Sequence, residues 1–275
     1  MIGPGPRGRV LVIAGSDSGG GAGLQADIKA ITVLGGFAAT AVTAVTVQNT
    51  RGVSGVLAIS PDLIEAQVRA VLDDIGADVI KTGMLGDAAT VERVADLLDA
   101  YRIPAVIDPV MVAKGGQALL ADAAVQTLAS RLLPHATLLT PNAPEAAALT
   151  GLRVETTDDL RRAGIALLGR GAAAVLMKGG HIPGDRVVDL LITPEGETAF
   201  EGARIDTRHT HGTGCTLASA VAAGLARGLP LVSAVADAHA YVGEAIRRAP
   251  GFGAGHGPLD HGWPLRTGQV PPGLK

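Results

Sequence analysis

The chain has 275 residues, a net charge of −3, a single cysteine and only 2% aromatic residues. Without a basic block, nucleic acid is not expected as a partner, and the scarce aromatics argue against surfaces that stack bases or sugars. No apolar run reaches the roughly 20 residues that a membrane helix needs, and the apolar stretch at residues 10–14 is too short for a signal-peptide core. The lone cysteine excludes an intrachain disulfide framework and predicts a cytoplasmic protein.

Short apolar runs alternate with helical patterns from end to end. Strands are predicted at residues 9–14, 38–47, 52–59, 79–82, 105–108, 137–140 and 173–178, with a polar edge hairpin or lid at 186–200. Helices are predicted at residues 24–34, 60–74, 88–101, 121–132, 213–227 and 231–247, with two more within 143–168. This alternation predicts an α/β fold in which helices cover both faces of a mostly parallel central sheet. We expect one domain over residues 9–265, between a flexible lead (1–8) and a flexible tail (266–275).

Glycines and polar residues follow the strands at their carboxyl ends, where open α/β sheets bind ligands. The first cluster, residues 15–23, lacks the Gly-Lys-Ser/Thr ending of a phosphate loop and the spacing of a dinucleotide fingerprint. We interpret it as a place where a small substrate approaches the backbone, with Asp27 facing that substrate from the next helix. A surface-exposed aspartate is the alternative interpretation of Asp27.

Gln48 follows the second strand in the same layer. Its carboxamide presents a donor beside an acceptor, which matches the amino group and ring nitrogen of an aminopyrimidine. The alternative is a simple turn residue.

Charged residues end two further strands. Asp108 adds a carboxylate, and Lys178, in a chain that prefers arginine, suits a nucleotide phosphate. Asn142 and Glu145 have the spacing of a helix capping box, and Glu145 also fits a carboxylate near hydrated Mg²⁺. A zinc site is not predicted, because His209 and His211 have no evident third ligand.

The single cysteine, Cys215, ends the run at residues 211–215, just before a small-residue segment that predicts a helix. A glycine turn that opens a helix directs free N–H groups and partial positive charge at one point, which favours an anion. A thiol in such a site is expected to have a lowered pKa and to act as a base or nucleophile. The alternative is a buried cysteine at an ordinary glycine turn.

Together these segments resemble the hydroxymethylpyrimidine/phosphomethylpyrimidine kinases of thiamin biosynthesis, within the ribokinase-like superfamily. The resemblance runs from Val12 to about His261, over residues 14–23, 25–27, 47–50, 81–85, 108–111, 140–142, 144–146, 178–181, 210–216 and 255–258. It implies ATP- and Mg²⁺-dependent phosphorylation of 4-amino-5-hydroxymethyl-2-methylpyrimidine and then of its monophosphate. It also implies a homodimer.

The resemblance implies roles for individual residues. Asp27 and Gln48 would hold the pyrimidine, in a pocket lined by Gly15, Met84 and Val110. The residues that would serve ATP and Mg²⁺ are Asp108, Asn142, Glu145, Lys178, His211, Gly212 and Gly214, with Asp108 and Glu145 nearest the metal. Lys178 and the backbone amides of Gly212, Thr213, Gly214 and Cys215 would stabilise charge on the transferring phosphoryl group.

Many ribokinase-like enzymes carry an aspartate base at the position of Cys215, whereas the pyrimidine kinases share the cysteine. We expect it to act as the base in the first transfer only. The second acceptor is a phosphate whose second pKa is about 6, so it is already largely ionised. Two alternatives remain open: a pyridoxine or pyridoxal kinase, and a non-catalytic sensor of the pyrimidine or of ATP.

Overall fold

The computed structural model describes residues 7–112, 116, 119–120 and 122–269. Residue 121, the predicted start of one helix, lies outside the described residues, as do residues 1–6 and 270–275 of the expected terminal segments. The strands are β1 Arg9–Asp17, β2 Phe37–Asn49, β3 Gly52–Ala58, β4 Val79–Thr82, β5 Ala105–Ile107, β6 Ala136–Leu139, β7 Val175–Met177, β8 Arg186–Thr193 and β9 Gly196–Ala203. The helices are α1 Gly23–Val33, α2 Pro61–Leu72, α3 Ala88–Tyr101, α4 Asp122–Thr127, α5 Ala143–Thr150, α6 Thr157–Leu168, α7 Thr213–Ala226, α8 Leu231–Arg247 and α9 Trp263–Thr267.

Over the described residues the strands form a nine-stranded sheet in the order β3-β2-β1-β4-β5-β6-β7-β8-β9. From β2 to β7 neighbouring strands are parallel, while β3 pairs antiparallel at one edge and the β8–β9 hairpin at the other. The predicted mostly parallel sheet is therefore confirmed. In the sheet, β2 lies on one side of β1 and β4 lies on the other. The strand order therefore reverses direction at β1, and a crevice opens at the carboxyl ends of these strands, where ligands bind in such sheets.

The core has two layers, one on each face of the sheet. Along β1, Leu11 and Ile13 belong to the layer beneath α2, α3, α5 and α6, whereas Val10, Val12 and Ala14 belong to the layer beneath α1, α7 and α8. Successive strand residues point to opposite faces, so an all-apolar strand requires cover on both. The prediction of helices on both faces is confirmed.

Several elements differ from their predicted bounds. β1 continues to Asp17 because Ser16 and Asp17 pair with β2 across a bulge, so part of the predicted glycine loop is strand. Gln48 lies within β2 rather than in a turn. The hairpin predicted near residues 186–200 is the edge hairpin of the sheet, and α9 was not predicted.

Residues 128–132 form a π-helical turn that continues α4. Within the predicted N-terminal lead, the Arg7 N–H donates to the Gly35 carbonyl at 2.8 Å. None of the described helices has the length and apolar character to cross a membrane.

Candidate active site

The carboxyl ends of the strands open into a cavity of about 1720 Å³. All but one of the predicted site residues contribute to its lining: Gly15, Gln48, Met84, Asp108, Val110, Asn142, Glu145, Lys178, His211, Gly212, Thr213, Gly214 and Cys215. These residues come from segments spread over the whole chain, and the sheet brings them together because parallel strands end at the same edge.

The exception is Asp27, which lies beneath the cavity. Its side chain is completely buried, with Nζ of Lys81 at 3.0 Å from Oδ1 and 3.1 Å from Oδ2. The Ser219 hydroxyl donates a third hydrogen bond to Oδ1 at 2.7 Å. The structure therefore corrects the prediction that Asp27 faces the substrate, because its side chain is completely buried and does not line the cavity, and it also contradicts the surface-exposed alternative.

Asp17 is a site residue that the sequence analysis missed. Its carboxylate accepts hydrogen bonds from the N–H groups of Gly19, Gly21 and Ala22 at 2.7, 3.0 and 2.8 Å. Nε2 of His211 lies 3.0 Å from Oδ2. Burial works against the charge, but these bonds hold the pKa of Asp17 below its ordinary value. An acidic residue between a strand and a glycine run was the available signal.

His211 lies on the same side of the cavity as Gln48. The Nε2 atoms of the two side chains are 3.3 Å apart, and the Thr46 hydroxyl lies 3.1 Å from Oε1 of Gln48. The assignment of His211 to the nucleotide stays a prediction. The His211 ring is held by Asp17 at the end of β1, next to the group predicted to hold the pyrimidine.

Lys178, Asp108 and Glu145 form a charged cluster on the other side of the cavity. Nζ of Lys178 lies 2.9 Å from Oδ1 of Asp108 and 3.7 Å from Oε2 of Glu145, and the Thr140 hydroxyl donates to Oδ1 at 3.0 Å. Burial raises the pKa of Glu145 to about 7 despite the nearby lysine. For Asp108, burial is outweighed by the charges of Lys178 and Lys81, which lower its pKa. The cluster therefore places one fixed positive charge between two carboxyl groups.

Asn142 and Glu145 also form the predicted capping box of α5. Oδ1 of Asn142 accepts from the Glu145 N–H at 2.9 Å, and Oε2 of Glu145 accepts from the Asn142 N–H at 2.8 Å. The structural interpretation of this motif is confirmed. The capping box fixes Glu145 at the cavity wall, where its carboxyl group lies beside Lys178.

The start of α7 closes the cavity between these two sides. Gly212 is its N-cap with φ 82°, and a Cβ there would lie 1.8 Å from the Gly21 carbonyl oxygen. A Cβ on Gly214 would lie 3.2 Å from Nζ of Lys178. Glycine at these positions lets the first turn of α7 approach both the glycine run and the lysine. The Thr213 N–H donates to the Thr210 carbonyl oxygen at 3.3 Å, so the N–H groups of Gly214 and Cys215 are the ones left to make an anion site.

Gly212 and Gly228 provide a matched test of this packing. Both have positive φ, 82° and 85°, but a Cβ on Gly228 meets nothing within 4 Å. We expect Gly228→Ala to cost about 1–2 kcal/mol of stability through backbone strain alone. Gly212→Ala should cost roughly 1–3 kcal/mol more through the clash, and it should displace the start of α7. Urea unfolding measures the difference, and equal stability losses would contradict this account.

Cys215, in the first turn of α7, lines the cavity. Burial raises the pKa of its thiol to about 11; Asp27 and Asp108 add to the shift, while the charge of Lys81 opposes it. The expectation that this pKa is lowered is therefore wrong, because loss of hydration outweighs the charge of Lys81 and the hydrogen bond from the Gly23 N–H. At neutral pH the side chain is a thiol.

Comparisons with known proteins agree with the features of this site. The family model described as phosphomethylpyrimidine kinase matches residues 17–260. The chain is 53% identical over 256 residues to the hydroxymethylpyrimidine/phosphomethylpyrimidine kinase of Streptomyces coelicolor, covering 93% of this chain and 95% of that protein.

Two solved structures share the fold. The ADP complex of Bacillus subtilis pyridoxal kinase has a TM-score of 0.88 and 36% identity, covering 94% of this chain and 99% of that one. The phosphomethylpyrimidine kinase of Clostridium difficile has a TM-score of 0.78 and 38% identity, covering 86% and 99%. The predicted ribokinase-like fold is confirmed by these matches.

Proposed function

The chain belongs to the phosphomethylpyrimidine kinase family, and we propose that it transfers a phosphoryl group from ATP to 4-amino-5-hydroxymethyl-2-methylpyrimidine and then a second one to the monophosphate, for thiamin biosynthesis. The observation that carries the proposal is one cavity with two unlike sides. Gln48 lies on one side and Lys178 on the other, with the start of α7 between them. A cytoplasmic location stays the expectation drawn from the single cysteine.

The side of the cavity near Gln48 suits a small aromatic ring. Gly15 leaves room there, since a Cβ at this position would lie 3.2 Å from Sδ of Met84. Met84 is itself fixed by the Thr43 hydroxyl, which donates to its carbonyl oxygen at 2.6 Å. The Gln48 carboxamide then offers a donor and an acceptor to the amino group and ring nitrogen. The ring would lie with its hydroxymethyl group toward Cys215.

The side near Lys178 suits the phosphates of a nucleotide. Phosphoryl transfer proceeds through a loose transition state, so catalysis depends on positioning and on compensation of charge. Lys178 would contact the transferring phosphoryl group, with Asp108 holding its ammonium group in place. The N–H groups at the start of α7 would stabilise the same charge from the opposite direction.

Mg²⁺ fits this side as an ion held mainly by phosphate and water. Within the described ranges no group of three or more His, Cys, Asp or Glu side chains could hold a metal ion. Asp108 and Glu145 provide the one or two carboxylates that Mg²⁺ prefers beside phosphates. When bound, the ion neutralises negative charge on the phosphate oxygens.

The two acceptors place different demands on Cys215. The alcohol carries a proton that must leave as its oxygen bonds to phosphorus, and Cys215 is the side chain proposed to receive it. The monophosphate acceptor has a second pKa of about 6 and needs no base at neutral pH. The first transfer should therefore depend on Cys215 and the second should not.

Pyridoxal kinase is the second candidate function, favoured by the TM-score of 0.88 to the Bacillus subtilis pyridoxal kinase. Measuring kcat/KM for the hydroxymethylpyrimidine and for pyridoxal side by side separates the two. We expect the pyrimidine to be preferred, and Gln48→Leu to reduce that preference by removing the paired donor and acceptor. Higher kcat/KM for pyridoxal would overturn the proposal, and no ADP formation with either alcohol would favour a sensor.

We also propose that the chain is a homodimer. On the β2–β3 hairpin the apolar side chains of Val45, Val47 and Leu57 are 46%, 64% and 67% exposed, and Val45 pairs directly with Leu57. Exposed apolar residues grouped in this way often mark an interface.

Sedimentation of the wild type and of two variants tests this proposal. Leu57→Asp should give a monomer, because it places a charge in the apolar patch. Leu265→Asp should not, although Leu265 is 77% exposed, since it lies on α9 away from the hairpin. A monomeric wild type would contradict the homodimer.

A further inference from the structure

A completely buried ion pair lies at the wall of the cavity, which Lys81 lines and Asp27 does not. Lys81 on β4 and Asp27 on α1 are both 0% exposed, with Nζ of Lys81 close to both carboxylate oxygens. Removing two charges from water is costly, and an apolar pair of similar volume often stabilises a fold as well or better. Stability alone therefore gives little reason for a lysine here.

The ion pair packs against α7, the helix that carries Cys215. Cys215 and Ser219 are four residues apart on α7, so they share one face of that helix. Ser219 donates to Asp27 at 2.7 Å. Cys215 thus lies one turn nearer the cavity than Ser219, which fixes Asp27. Lys81 and Cys215 both line the cavity.

Charged groups face the thiol from four directions. They are Asp27 on α1, Lys81 on β4, Asp108 after β5 and Lys178 after β7. Burial and the two carboxylates disfavour a thiolate, whereas Lys81 and a hydrogen bond from the Gly23 N–H favour it. Lys178 is held by Asp108 at 2.9 Å. Among the groups that favour the thiolate, Lys81 has the largest effect, and Asp27 keeps this lysine charged.

We propose that Lys81, held by Asp27, is a positioning residue for the first phosphoryl transfer, whose fixed positive charge stabilises the thiolate of Cys215. The inference rests on the proposed function. The thiolate forms by loss of the Sγ proton to solvent and then takes the hydroxymethyl proton. As this happens, the alcohol oxygen bonds to the γ-phosphorus, and the bond from that phosphorus to the leaving ADP oxygen breaks.

The single cysteine makes the test direct. Because Cys215 is the chain's one thiol and lines the cavity, the pH dependence of its alkylation by iodoacetamide reports its pKa without any substrate. The test variant is Lys81→Met with Asp27→Asn, which removes both charges while Asn keeps an acceptor for Ser219. The matched control is Arg9→Met with Asp78→Asn, which removes an exposed pair.

In the test variant the alkylation pKa should rise, because Lys81 acts on the thiol more strongly than Asp27 does. The first transfer should slow about threefold to tenfold more than the second. The control should show neither change. An unchanged or lower alkylation pKa, or equal slowing of the two transfers, would overturn the proposal.

Asp27→Asn alone decides the matter if the double variant does not fold. Without the carboxylate that keeps it charged, the completely buried lysine loses its proton, so the alkylation pKa should rise as in the double variant, and a fall would overturn the proposal. Failure of the proposed function would appear differently: the wild type would phosphorylate neither acceptor, whatever the alkylation pKa.

Discussion

Lys178→Met is expected to slow both phosphoryl transfers by about 10²–10³-fold, the usual loss when one donor to developing charge is removed. The effect should be common to both steps because each passes the γ-phosphoryl group of ATP over the same lysine. In the structure this ammonium lies between Asp108 and Glu145, and Gly214 of α7 is close to it. Rapid-quench single-turnover measurements on each acceptor give the two rates.

Lys29→Met is the matched control for Lys178→Met. Lys29 is exposed, and its Nζ donates to the Gly20 carbonyl at 2.7 Å. Loss of this one surface hydrogen bond should change either rate by less than about threefold. Equal losses in the two lysine variants, or a Lys178 variant that slows only one step, would contradict the role given to Lys178.

Cys215→Ala should slow the first transfer by about 10²-fold or more, in the range of general-base catalysis, and leave the second nearly unchanged. The two steps share the nucleotide, Lys178 and the start of α7, so the second step is an internal control for folding and ATP binding. Single-turnover rates with each acceptor test the split. If the two rates fall together, Cys215 acts through structure and is not a base.

The pH dependence follows from the same thiol. Its pKa of about 11 means that the thiolate fraction rises about tenfold per pH unit below that value. The first-step kcat/KM should therefore increase with pH across the neutral and alkaline range. The second should level off above the acceptor's second pKa of about 6. Cys215→Ala should remove the rise, and a flat first-step profile in the wild type would contradict the assignment.

The sequence predicts the strands and helices well where each is defined by its own residues. Strand β4 and helix α3 have the predicted bounds, because an apolar run and an amphipathic pattern are local signals. β1 runs longer than predicted because Ser16 and Asp17 pair with β2 across the bulge at Gly15, and β2 runs longer because Gln48 and Asn49 pair with β3. Pairing between strands depends on the partner as well as on local propensity.

The lining of the site was predicted better than its contacts. Strand ends are visible in the sequence and the sheet gathers them, so most of the predicted residues line one cavity. The partners of Asp27 and His211 were not predicted because they are distant in the sequence: Lys81 is 54 residues from Asp27, and Asp17 is 194 residues from His211. The periodicity of a helix indicates which face of the helix a side chain lies on, but it does not indicate which distant residue that side chain contacts.

The thiol shows the same limit in energetic terms. The glycine turn before Cys215 reveals a helix start, and hence a field that favours a thiolate. It does not reveal that Asp27, Asp108 and the core surround the sulfur, and these raise its pKa. Burial is a property of the packed chain, so the sign of the shift became visible only in the structure.

If one cavity carries out both transfers, the purified chain alone converts the hydroxymethylpyrimidine to its diphosphate. Incubation with ATP and Mg²⁺, followed by mass spectrometry of the pyrimidine species, measures this conversion. We expect the monophosphate to appear first and to be converted to the diphosphate, with two ADP formed for each diphosphate. Formation of the monophosphate alone, or of ADP without phosphorylated pyrimidine, would contradict this expectation.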